Sequence, residues 1–574
     1  MLHGREARRE VPNTGCQKLA NMIFSSRYQL DIPDVDVLTY LFATDAPRVD
    51  SDSFVFVDAE RPTLGLRRAE LESSVKRLAG GLREKCNVQN GDVVLVYTEN
   101  STWYPVIILG AICSGGVFTG ANPGYTSTEL AHQLKISGAR CIFTDSERLN
   151  STLQAVKAVG LPSSCIVLVE NGDQPAKDGD ENGFCSMHDL LACAPYSWEV
   201  VKEREVLADK IAVLNFSSGT TGSPKACMIT HRNLVANAEQ QLHLDDVAQK
   251  RSSDARYIAH NIHCAFLPFY HASGLIFYCI MNLRRPCTTV VMRKFSLRLL
   301  LGTIHRFRVT YLFLAPPVVV MLAKSDLLAR HDLSSVKFLF CGAAPLKPEL
   351  SKKLETIFSG GKARSRQGWG MTEATMAVTL FAPDEFDPSY RGVGYLVPNM
   401  EMKIIGHHGQ PVGCNEEGEA VIRGPNIFKG YYENPNATRQ AWTEDGWMKT
   451  GDVVIIDESG LLTVVNRKKE LIKVKGFQVA PSELEGHLLE HDGVKDCAVI
   501  RVTRDGQEHP QAHIVPRDGT VTAASIMNFM NQRLSAYKRL TGGIVFTEAI
   551  PKSASGKILH RMLRDPHSKS SARL

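Results

Sequence analysis

The sequence contains the stretch Phe216-Ser217-Ser218-Gly219-Thr220-Thr221-Gly222-Ser223-Pro224-Lys225, which directly follows the apolar run Ile211–Asn215. The run predicts a strand, and the stretch predicts a loop because it combines two glycines with five hydroxyl side chains. Glycines let backbone NH groups point inward, hydroxyls add hydrogen-bond donors, and Lys225 adds a positive charge. A Walker motif is excluded, because Pro224 precedes the lysine and Ala226 follows it. The pattern favours a phosphate-binding loop, with a solvated turn as the alternative.

On both sides of this loop the chain alternates short β-branched runs with amphipathic segments. Val93–Tyr97, Cys141–Thr144 and Val336–Phe340 are examples of the runs. This alternation is typical of α/β layers, in which ligand sites lie at the carboxyl ends of strands. After Arg467 the pattern changes to that of a compact α+β unit with strands and helices in a different order.

A chain of 574 residues is long enough for two or more domains. We expect an N-terminal extension at 1–34, a large α/β domain of layered sheets and helices at 35–466, and a small, compact α+β domain at 467–574. The ligand site is expected mainly in the large domain.

Composition narrows the classes of partner. The formal net charge is only +5 and no block of like charges resembles a nucleic-acid-binding arm, so nucleic acid is not an expected partner. The 14 cysteines are scattered without a C-x-x-C pair, which argues against a zinc site or a disulfide framework. The most apolar stretch, Tyr104–Phe118, is too short to span a bilayer, so no membrane span is expected.

The two ends of the sequence bear on localisation. The N-terminus has no apolar core like that of a secretory signal. The sequence ends in Ala572-Arg573-Leu574, a small-basic-Leu variant of the Ser-Lys-Leu peroxisomal address. We therefore expect peroxisomal import through the import receptor, with a cytoplasmic location as the alternative if the tripeptide arises by chance.

Six further motifs follow the phosphate-binding loop in order along the chain. They are Leu267-Pro268-Phe269-Tyr270-His271, Cys341-Gly342-Ala343-Ala344-Pro345-Leu346, Gln367-Gly368-Trp369-Gly370-Met371-Thr372-Glu373, Lys449-Thr450-Gly451-Asp452, Asn466-Arg467-Lys468-Lys469-Glu470-Leu471-Ile472-Lys473-Val474-Lys475-Gly476-Phe477-Gln478 and Pro551-Lys552-Ser553-Ala554-Ser555-Gly556-Lys557. With the loop, they resemble the motifs of the adenylate-forming superfamily, most closely those of the 4-coumarate-CoA ligase branch. The resemblance covers nearly the whole chain and implies an AMP-forming acid-thiol ligase.

The resemblance implies a site for ATP. The residues expected to contact the nucleotide are Ser217, Ser218, Gly219, Thr220, Thr221, Gly222, Lys225, Gly342, Ala343, Ala344, Pro345, Gln367, Gly368, Trp369, Gly370, Thr372, Asp452, Arg467 and Lys557. Within this set the resemblance assigns the α-phosphate to Thr372 and the ribose to Asp452 and Arg467. It assigns Mg²⁺ to Glu373, a hard carboxylate ligand suited to that ion. Without the motifs, Glu373 and Asp452 would be an ordinary helix-start glutamate and turn aspartate.

The resemblance also implies two successive half-reactions. Lys557 bridges the carboxylate and the α-phosphate during adenylation, and the small domain then rotates at a hinge, Lys469. In the second arrangement Lys473, Lys475 and Gly476 face the cleft that receives coenzyme A, and Lys557, His271, Thr372 and Lys473 are the expected catalytic residues. The chain departs from the family pattern at Asn466, where an aspartate is commoner.

An acyl pocket is expected beside His271. By the same resemblance its walls are formed by Tyr270, His271, Phe313, Val318, Phe340, Trp369 and Met371, although apolar side chains such as these are more often ordinary core. No acidic residue occurs between Asn261 and Leu283, and a buried ammonium without a counter-charge is costly. The sequence thus favours an aryl, arylalkyl or medium-chain acid over an amino acid.

Three alternatives to this function remain at this point. They are a stand-alone adenylation enzyme that loads a carrier protein, a luciferase-like oxygenase and a non-catalytic nucleotide-binding protein. The combination of Glu373 with Lys557 argues against the last, because binding alone does not require a transferring lysine.

Overall fold

The computed structural model describes residues 22–42, 52–169, 183–217, 224–251, 260–342, 346–358, 363–474, 477–504, 507–534, 538–553 and 556–564. Its strands are β1 (Phe24–Ser25), β2 (Phe54–Asp58), β3 (Gly65–Arg67), β4 (Val93–Tyr97), β5 (Val117–Gly120), β6 (Cys141–Thr144), β7 (Ile166–Leu168), β8 (Cys185–Ser186), β9 (Ile211–Ser217), β10 (Lys225–Thr230), β11 (Asn261–Ala265), β12 (Cys287–Val291), β13 (Tyr311–Leu314), β14 (Phe338–Cys341), β15 (Arg364–Gln367), β16 (Trp369–Gly370), β17 (Ala377–Leu380), β18 (Tyr395–Leu396), β19 (Glu401–Ile405), β20 (Gly418–Arg423), β21 (Gly430–Tyr431), β22 (Met448–Ile456), β23 (Leu462–Arg467), β24 (Ile472–Val474), β25 (Phe477–Val479), β26 (Val494–Arg504), β27 (Gln507–Pro516) and β28 (Gly543–Phe546).

The α-helices are α1 (Val37–Phe42), α2 (Arg68–Glu84), α3 (Tyr104–Cys113), α4 (Ser127–Ser137), α5 (Leu149–Ala158), α6 (Met187–Leu191), α7 (Arg204–Asp209), α8 (His231–Arg251), α9 (Ala272–Gly274), α10 (Leu297–Phe307), α11 (Pro316–Ala323), α12 (Pro348–Ile357), α13 (Pro435–Ala441), α14 (Pro481–Leu488), α15 (Ala523–Asn531) and α16 (His560–Arg564). A π-helical turn, Leu275–Ile280, continues α9 and leads into a 3₁₀ turn, Met281–Arg284. None of the helices in the described ranges is long and apolar enough to cross a membrane.

Two large sheets form the centre of the N-terminal part. One has eight strands in the order β21-β10-β9-β5-β4-β6-β7-β8, and the other has seven in the order β15-β14-β13-β11-β12-β2-β3. On β4, Val94 and Val96 belong to one buried cluster while Val93, Leu95 and Tyr97 belong to a second. Both faces of this sheet are therefore covered, which explains why its parallel strands are continuous apolar runs.

Local sequence accounts for several boundaries. Helix α4 begins after Thr126, whose side chain accepts a hydrogen bond from the backbone NH of Glu129, while the Glu129 side chain accepts one from the Thr126 NH. This reciprocal pair stabilises the first turn of the helix. Helices α11 and α12 begin at Pro316 and Pro348, where the missing NH of proline has no intrahelical partner to lose.

After the five-stranded sheet β1-β19-β20-β22-β23, a small α+β unit follows. It contains the hairpin β24–β25 and the sheet β26-β27-β28, with α14 and α15 packed around a separate core that includes Leu484, Val499 and Ile526. The predicted fold class, an α/β chain with a large N-terminal and a small C-terminal part, is confirmed. The predicted limits at residues 34 and 466 stay predictions.

Candidate active site

The predicted motifs meet at one edge of the seven-stranded sheet. Strands β11, β13, β14 and β15 run parallel, and Leu314, Cys341 and Gln367 lie side by side at the ends of the last three. The segments that leave these ends contain His271, Pro317, Gly342 and Gly368. Because carboxyl ends of neighbouring parallel strands open at the same edge, a single cleft collects all four segments.

The predicted phosphate-binding loop connects the two antiparallel strands of a hairpin, β9 and β10. Ser217 at the end of β9 pairs with Lys225 at the start of β10. Ser218, Gly219, Thr220, Thr221 and Gly222 lie outside the described residues, so their contacts stay predictions. The Lys225 ammonium lies 4.9 Å from the centre of the Tyr431 ring, an arrangement in which the ring face attracts the cation.

Glu373 lies next to this hairpin. It follows Thr372 in a single 3₁₀ turn, Thr372–Ala374, and its backbone carbonyl accepts a hydrogen bond from Phe428 at 2.9 Å. The Tyr431 hydroxyl donates to the Glu373 carboxylate at 2.9 Å. Burial and the charge of Glu373 raise the pKa of Tyr431, so the tyrosine stays a neutral donor. Tyr431 thereby connects the candidate metal ligand with the lysine of the loop.

The Gln367 side chain binds backbone groups of two neighbouring segments, and its contact with the nucleotide stays a prediction. Its side-chain oxygen accepts from the Leu346 NH at 2.7 Å, and its amide nitrogen donates to the carbonyls of Leu346 at 3.2 Å and Tyr390 at 2.8 Å. The side chain therefore anchors Leu346, which directly follows the predicted nucleotide contacts Gly342 to Pro345. Ala343, Ala344 and Pro345 themselves lie outside the described residues.

Asp452 is held in a buried position between two donors. Its carboxylate accepts from the Trp369 indole NH at 2.8 Å and lies 3.4 Å from the Arg467 Nε, since Asp452 and Arg467 face each other on β22 and β23. Burial raises the pKa of Asp452, while Arg467 and Trp369 oppose that shift. The neighbouring Asn466 is buried, and its amide nitrogen has no hydrogen-bond partner among the described residues.

The small C-terminal part inserts Lys557 into the cleft. The loop that bears it is closed by hydrogen bonds from the Ser553 NH to the Lys557 carbonyl at 2.8 Å and from the Lys557 NH to the Ser553 hydroxyl at 3.1 Å. Burial first, and then the positive charge of Arg467, lower the pKa of Lys557 to about 8. The carboxylates that oppose this shift are those of Glu470, Asp452 and Glu373. Lys557 is therefore a partly desolvated cation close to the candidate ribose and metal ligands.

His271 faces the same lysine from the large domain. It stands at the start of α9, and its backbone NH donates to the Pro268 carbonyl at 3.2 Å. Burial, together with the charge of Lys557, lowers the pKa of His271 to about 4. The imidazole is therefore neutral at physiological pH.

Sequence reasoning missed a buried ion-pair cluster that holds the lysine loop. His560, three residues after Lys557, lies 3.0 Å from Glu485 and 3.5 Å from Glu470. Hydrogen bonds to these two carboxylates outweigh burial and raise the pKa of His560 to about 9. The cluster ties the loop to the segment that directly follows Lys469. Residue spacing gave no signal for it, because its members are far apart in sequence.

The structure describes only part of the segment that contains the predicted hinge and coenzyme A residues. Lys469 is exposed in the turn between β23 and β24. Lys473 is part of β24, but the structure does not describe its side chain. Lys475 and Gly476 also lie outside the described residues. The assignments of hinge and channel stay predictions.

Only part of the predicted acyl pocket lines a common cavity. Phe313 packs against Phe340 with ring centres 4.8 Å apart and against Phe277 at 5.4 Å. Phe340 and Phe277 line a cleft of about 450 Å³, including its mouth, together with Gln241, Leu244, Asp245, Met281, Arg285, Tyr311, Arg366, Met376, Leu380, Phe381 and Pro383. Of the predicted pocket residues, Tyr270, His271, Phe313, Val318, Trp369 and Met371 do not line it. The sequence did not point to the three charged residues in this wall.

Two family models and several known proteins match this chain. The family model of AMP-binding enzymes matches residues 51–432, and that of the AMP-binding enzyme C-terminal domain matches residues 483–557. A phenylacetyl-CoA ligase of Aspergillus niger is 32% identical over 550 residues, which cover 95% of this chain and 99% of that protein. A 4-coumarate-CoA ligase of Oryza sativa subsp. japonica is 36% identical over 504 residues, 86% of each chain.

Solved structures show the same fold. A crystal structure of an anthranilate CoA ligase in complex with anthranoyl-AMP has a TM-score of 0.79 at 23% identity, and covers 95% of this chain and 99% of that one. ATP-bound MatB from Rhodopseudomonas palustris has a TM-score of 0.78 at 24% identity, with coverage of 93% and 99%. The chain therefore belongs to the AMP-binding, adenylate-forming enzymes, and within them to the acyl-CoA synthetases that resemble 4-coumarate-CoA ligases.

Proposed function

We propose that this enzyme converts an organic acid with an apolar body into its acyl-CoA thioester in two steps. In the first, the carboxylate oxygen attacks the α-phosphorus of ATP, the bond to the β-phosphate breaks, and pyrophosphate leaves. In the second, the thiol sulfur of coenzyme A attacks the acyl carbonyl of the acyl-adenylate, and AMP leaves with the electrons of the broken bond. The observation that carries this proposal is Lys557 in the cleft beside Asp452 and His271.

The environment of Lys557 is suited to a polyanionic reactant. The lowered pKa means that the cleft destabilises the ammonium form when no substrate is bound. A triphosphate and a carboxylate would supply the missing negative charge. The same ammonium would then offset the charge that accumulates on the α-phosphate oxygens in the transition state.

Glu373 is suited to Mg²⁺ held mainly by phosphate oxygens. The described residues contain no cluster of three His, Cys, Asp or Glu side chains that could hold a metal ion alone. One carboxylate that is oriented by Tyr431 and lies beside the phosphate-binding hairpin fits an ion that takes its other ligands from ATP and water. Held there by Glu373, Mg²⁺ would neutralise part of the charge of the phosphates.

The remaining nucleotide contacts follow from positions in the cleft. Asp452 and Arg467 would bind the ribose hydroxyls, and Thr372 and Lys225 would contact the phosphates. His271, neutral and next to Lys557, would lie at the carboxylate end of the acid. For thioester formation the small part would turn at Lys469 and bring Lys473, Lys475 and Gly476 to the cleft.

An aryl, arylalkyl or medium-chain acid is the proposed substrate class. The rings of Phe277, Phe313 and Phe340 provide apolar surface at the ends of the strands that form the site. The relatives named for phenylacetate and 4-coumarate add support, since both names describe aryl acids. Import into peroxisomes through Ala572-Arg573-Leu574 is a separate proposal, and this tripeptide lies outside the described residues.

A screen of acids tests the proposed function. Pyrophosphate release is measured with purified protein, ATP, Mg²⁺ and panels of aromatic, fatty and amino acids, with and without coenzyme A. We expect turnover with aromatic or medium-chain acids, and multiple turnovers only when coenzyme A is present. A protein that turns over equally without coenzyme A but transfers the acyl group to a carrier protein would contradict the assigned acceptor. Absence of AMP formation with every acid would contradict the whole proposal.

The pH dependence of the first step should follow Lys557. We expect kcat/KM for acid-dependent ATP–pyrophosphate exchange to fall above about pH 8, because the free-enzyme lysine, with its pKa near 8, loses its charge there. Below that pH the ammonium is present and the rate should not depend on this group. In Lys557→Arg the descending limb should move to higher pH, since arginine stays charged. A wild-type profile that is flat between pH 7 and 9.5, or an unchanged limb in Lys557→Arg, would contradict the assignment.

A further inference from the structure

The cleft next to the candidate active site has an apolar side and a charged side. Phe277, Phe340 and Met376 form part of the apolar wall, whereas Arg285, Arg366 and Asp245 bring three charges into the same lining. Two guanidinium groups and one carboxylate give this lining a net positive charge. An ordinary pocket for a hydrocarbon tail would not contain charges, because burying them beside an apolar group is costly.

One buried donor on the charged side, the Arg285 Nε, has no acceptor among the described residues. Arg285 forms an ion pair with Asp245 through one terminal nitrogen. Buried donors in native proteins nearly always have an acceptor, and a bound ligand can supply one at this position. The nearby Asp384 does not line the cleft, and its carboxylate lies 3.9 Å from the Arg251 guanidinium.

Arg366, the second arginine of the charged side, is fixed in place. It is 5% exposed, its guanidinium donates to the Pro383 carbonyl and also lies over the Phe338 ring at 5.5 Å. Its position on β15 is set directly by the parallel ladder, in which Arg366 is the partner of Phe340. A rigid guanidinium of this kind is suited to planar recognition of a carboxylate.

The π-helical turn brings the other half of the charged side to the cleft. Phe277 lies within Leu275–Ile280, and Met281 and Arg285 follow it. Such turns break the helical repeat and often occur at functional sites. Here the irregular segment begins directly after His271-Ala272-Ser273-Gly274, so one stretch of chain leads from the reacting end of the acid to Arg285.

The cleft and the catalytic segments share walls. A Cβ on Gly368 would lie 2.5 Å from the Phe340 ring and 2.7 Å from a methyl group of Leu380, both in the cleft wall. The Met371 NH donates to the Met376 carbonyl at 3.0 Å, which connects the Thr372–Glu373 turn to the same wall. An acid bound with its carboxylate near His271 and Lys557 would therefore extend its other end toward the charged side.

We propose that the natural acid carries a second carboxylate at its distal end, recognised by Arg366 and Arg285 at the far side of this cleft. This inference rests on the proposed acyl-CoA ligase function and specifies its substrate class as an aryl or medium-chain dicarboxylic acid. An apolar tail would leave the Arg285 Nε without an acceptor, whereas a carboxylate supplies several lone pairs to two guanidinium groups. Because the cleft shares walls with the catalytic segments, the two arginines would contact the distal end of the acid. They would then determine specificity without touching the reacting atoms.

The test compares acids that differ only at the distal end. The pairs are octanoate with octanedioate and 3-phenylpropanoate with 3-(4-carboxyphenyl)propanoate, and kcat/KM is measured by pyrophosphate release with ATP, Mg²⁺ and coenzyme A. We expect the wild-type enzyme to prefer the dicarboxylate in at least one pair. In Arg366→Met and in Arg285→Met the preference should fall by about ten- to a hundred-fold, the scale of hydrogen bonds to a charged group, through loss of the dicarboxylate rate.

Arg364→Met is the matched control. Arg364 lies on the same strand, but its guanidinium pairs with Glu355 at 2.9 Å outside the cleft, so the preference should not change. Thermal unfolding of each variant, and its rate with octanoate, report whether the fold is intact. Wild-type enzyme that uses the monocarboxylates and rejects both dicarboxylates would overturn this inference and leave the ligase function standing. A preference unchanged in both folded arginine variants would do the same, whereas turnover of no acid would contradict the ligase function itself.

Discussion

Replacing Lys557 by alanine is expected to lower the rate of acyl-adenylate formation by about two to three orders of magnitude, the scale found for removing one preorganised donor of charge. The side chain reaches a buried position among Asp452, Glu373 and His271, where its charge is poorly shielded by water. In such a site the loss of one cation leaves the developing phosphate charge without a counter-charge. The measurement is acid-dependent ATP–pyrophosphate exchange.

The same variant should keep most of its activity in the second step. When acyl-adenylate is supplied directly with coenzyme A, we expect near wild-type thioester formation, because the thiol needs the position that Lys557 occupies. Lys552→Ala is a suitable control. Lys552 is in the same loop, but its ammonium points away from the cleft and pairs with the Asp496 carboxylate at a distance of 2.6 Å. If Lys557→Ala slowed both half-reactions equally, the proposed division between two arrangements would be wrong.

Much of the fold could be predicted because buried parallel strands are plain apolar runs. Val93–Tyr97 and Cys141–Thr144 coincide with β4 and β6. The run beginning at Val336 becomes a strand only at Phe338, because the Val336 NH turns back to the Leu333 carbonyl before the ladder begins. The turn at Val336 therefore sets the start of this strand, which the apolar content of the run could not indicate.

The candidate site was predictable where function is concentrated in short motifs. Glu373, Asp452, Arg467 and Lys557 were assigned from four separate segments, and the structure brings them to one cleft. The motifs could not indicate how each side chain is used locally. The Gln367 amide, for example, binds backbone groups of Leu346 and Tyr390, which only tertiary structure reveals.

Contacts between distant elements were beyond the reach of sequence patterns. His560 forms ion pairs with Glu470 and Glu485, which lie in other segments of the small C-terminal unit. Arg285, which follows the π-helical turn, and Arg366, which lies on a parallel strand, line the same cleft. Each residue alone looks like a solvated charge, and their meeting depends on the packing of the whole large domain.

Gly556, the residue before Lys557, is the second position where a small change should have a large effect. Its φ is +82°, a region that residues with a side chain rarely adopt, and a Cβ there would lie 2.6 Å and 2.8 Å from two ring atoms of Pro317. A proline ring at the start of α11 cannot rotate away from that contact. The absence of a side chain at Gly556 therefore allows the lysine loop to dock on the large domain.

Gly556→Ala should consequently slow adenylate formation by about 30- to 300-fold, the sum of left-handed backbone strain and a steric clash in the closed arrangement. Thioester formation from supplied acyl-adenylate should be nearly unaffected, because the loop would no longer contact Pro317 at that stage. Gly519→Ala, at a small-domain glycine with nothing within 4 Å of the added Cβ, should leave both rates unchanged.

A double variant separates the two causes of the Gly556→Ala defect. Adding Pro317→Ala removes the ring atoms from the contact, so part of the lost exchange rate should return while the backbone strain remains. Recovery in the double variant would mean that Gly556 acts at the contact between the lysine loop and α11. If Gly556→Ala lowered both half-reactions equally, or if Pro317→Ala gave no recovery in a protein with unchanged thermal unfolding, the docked loop would not be the arrangement that forms the adenylate.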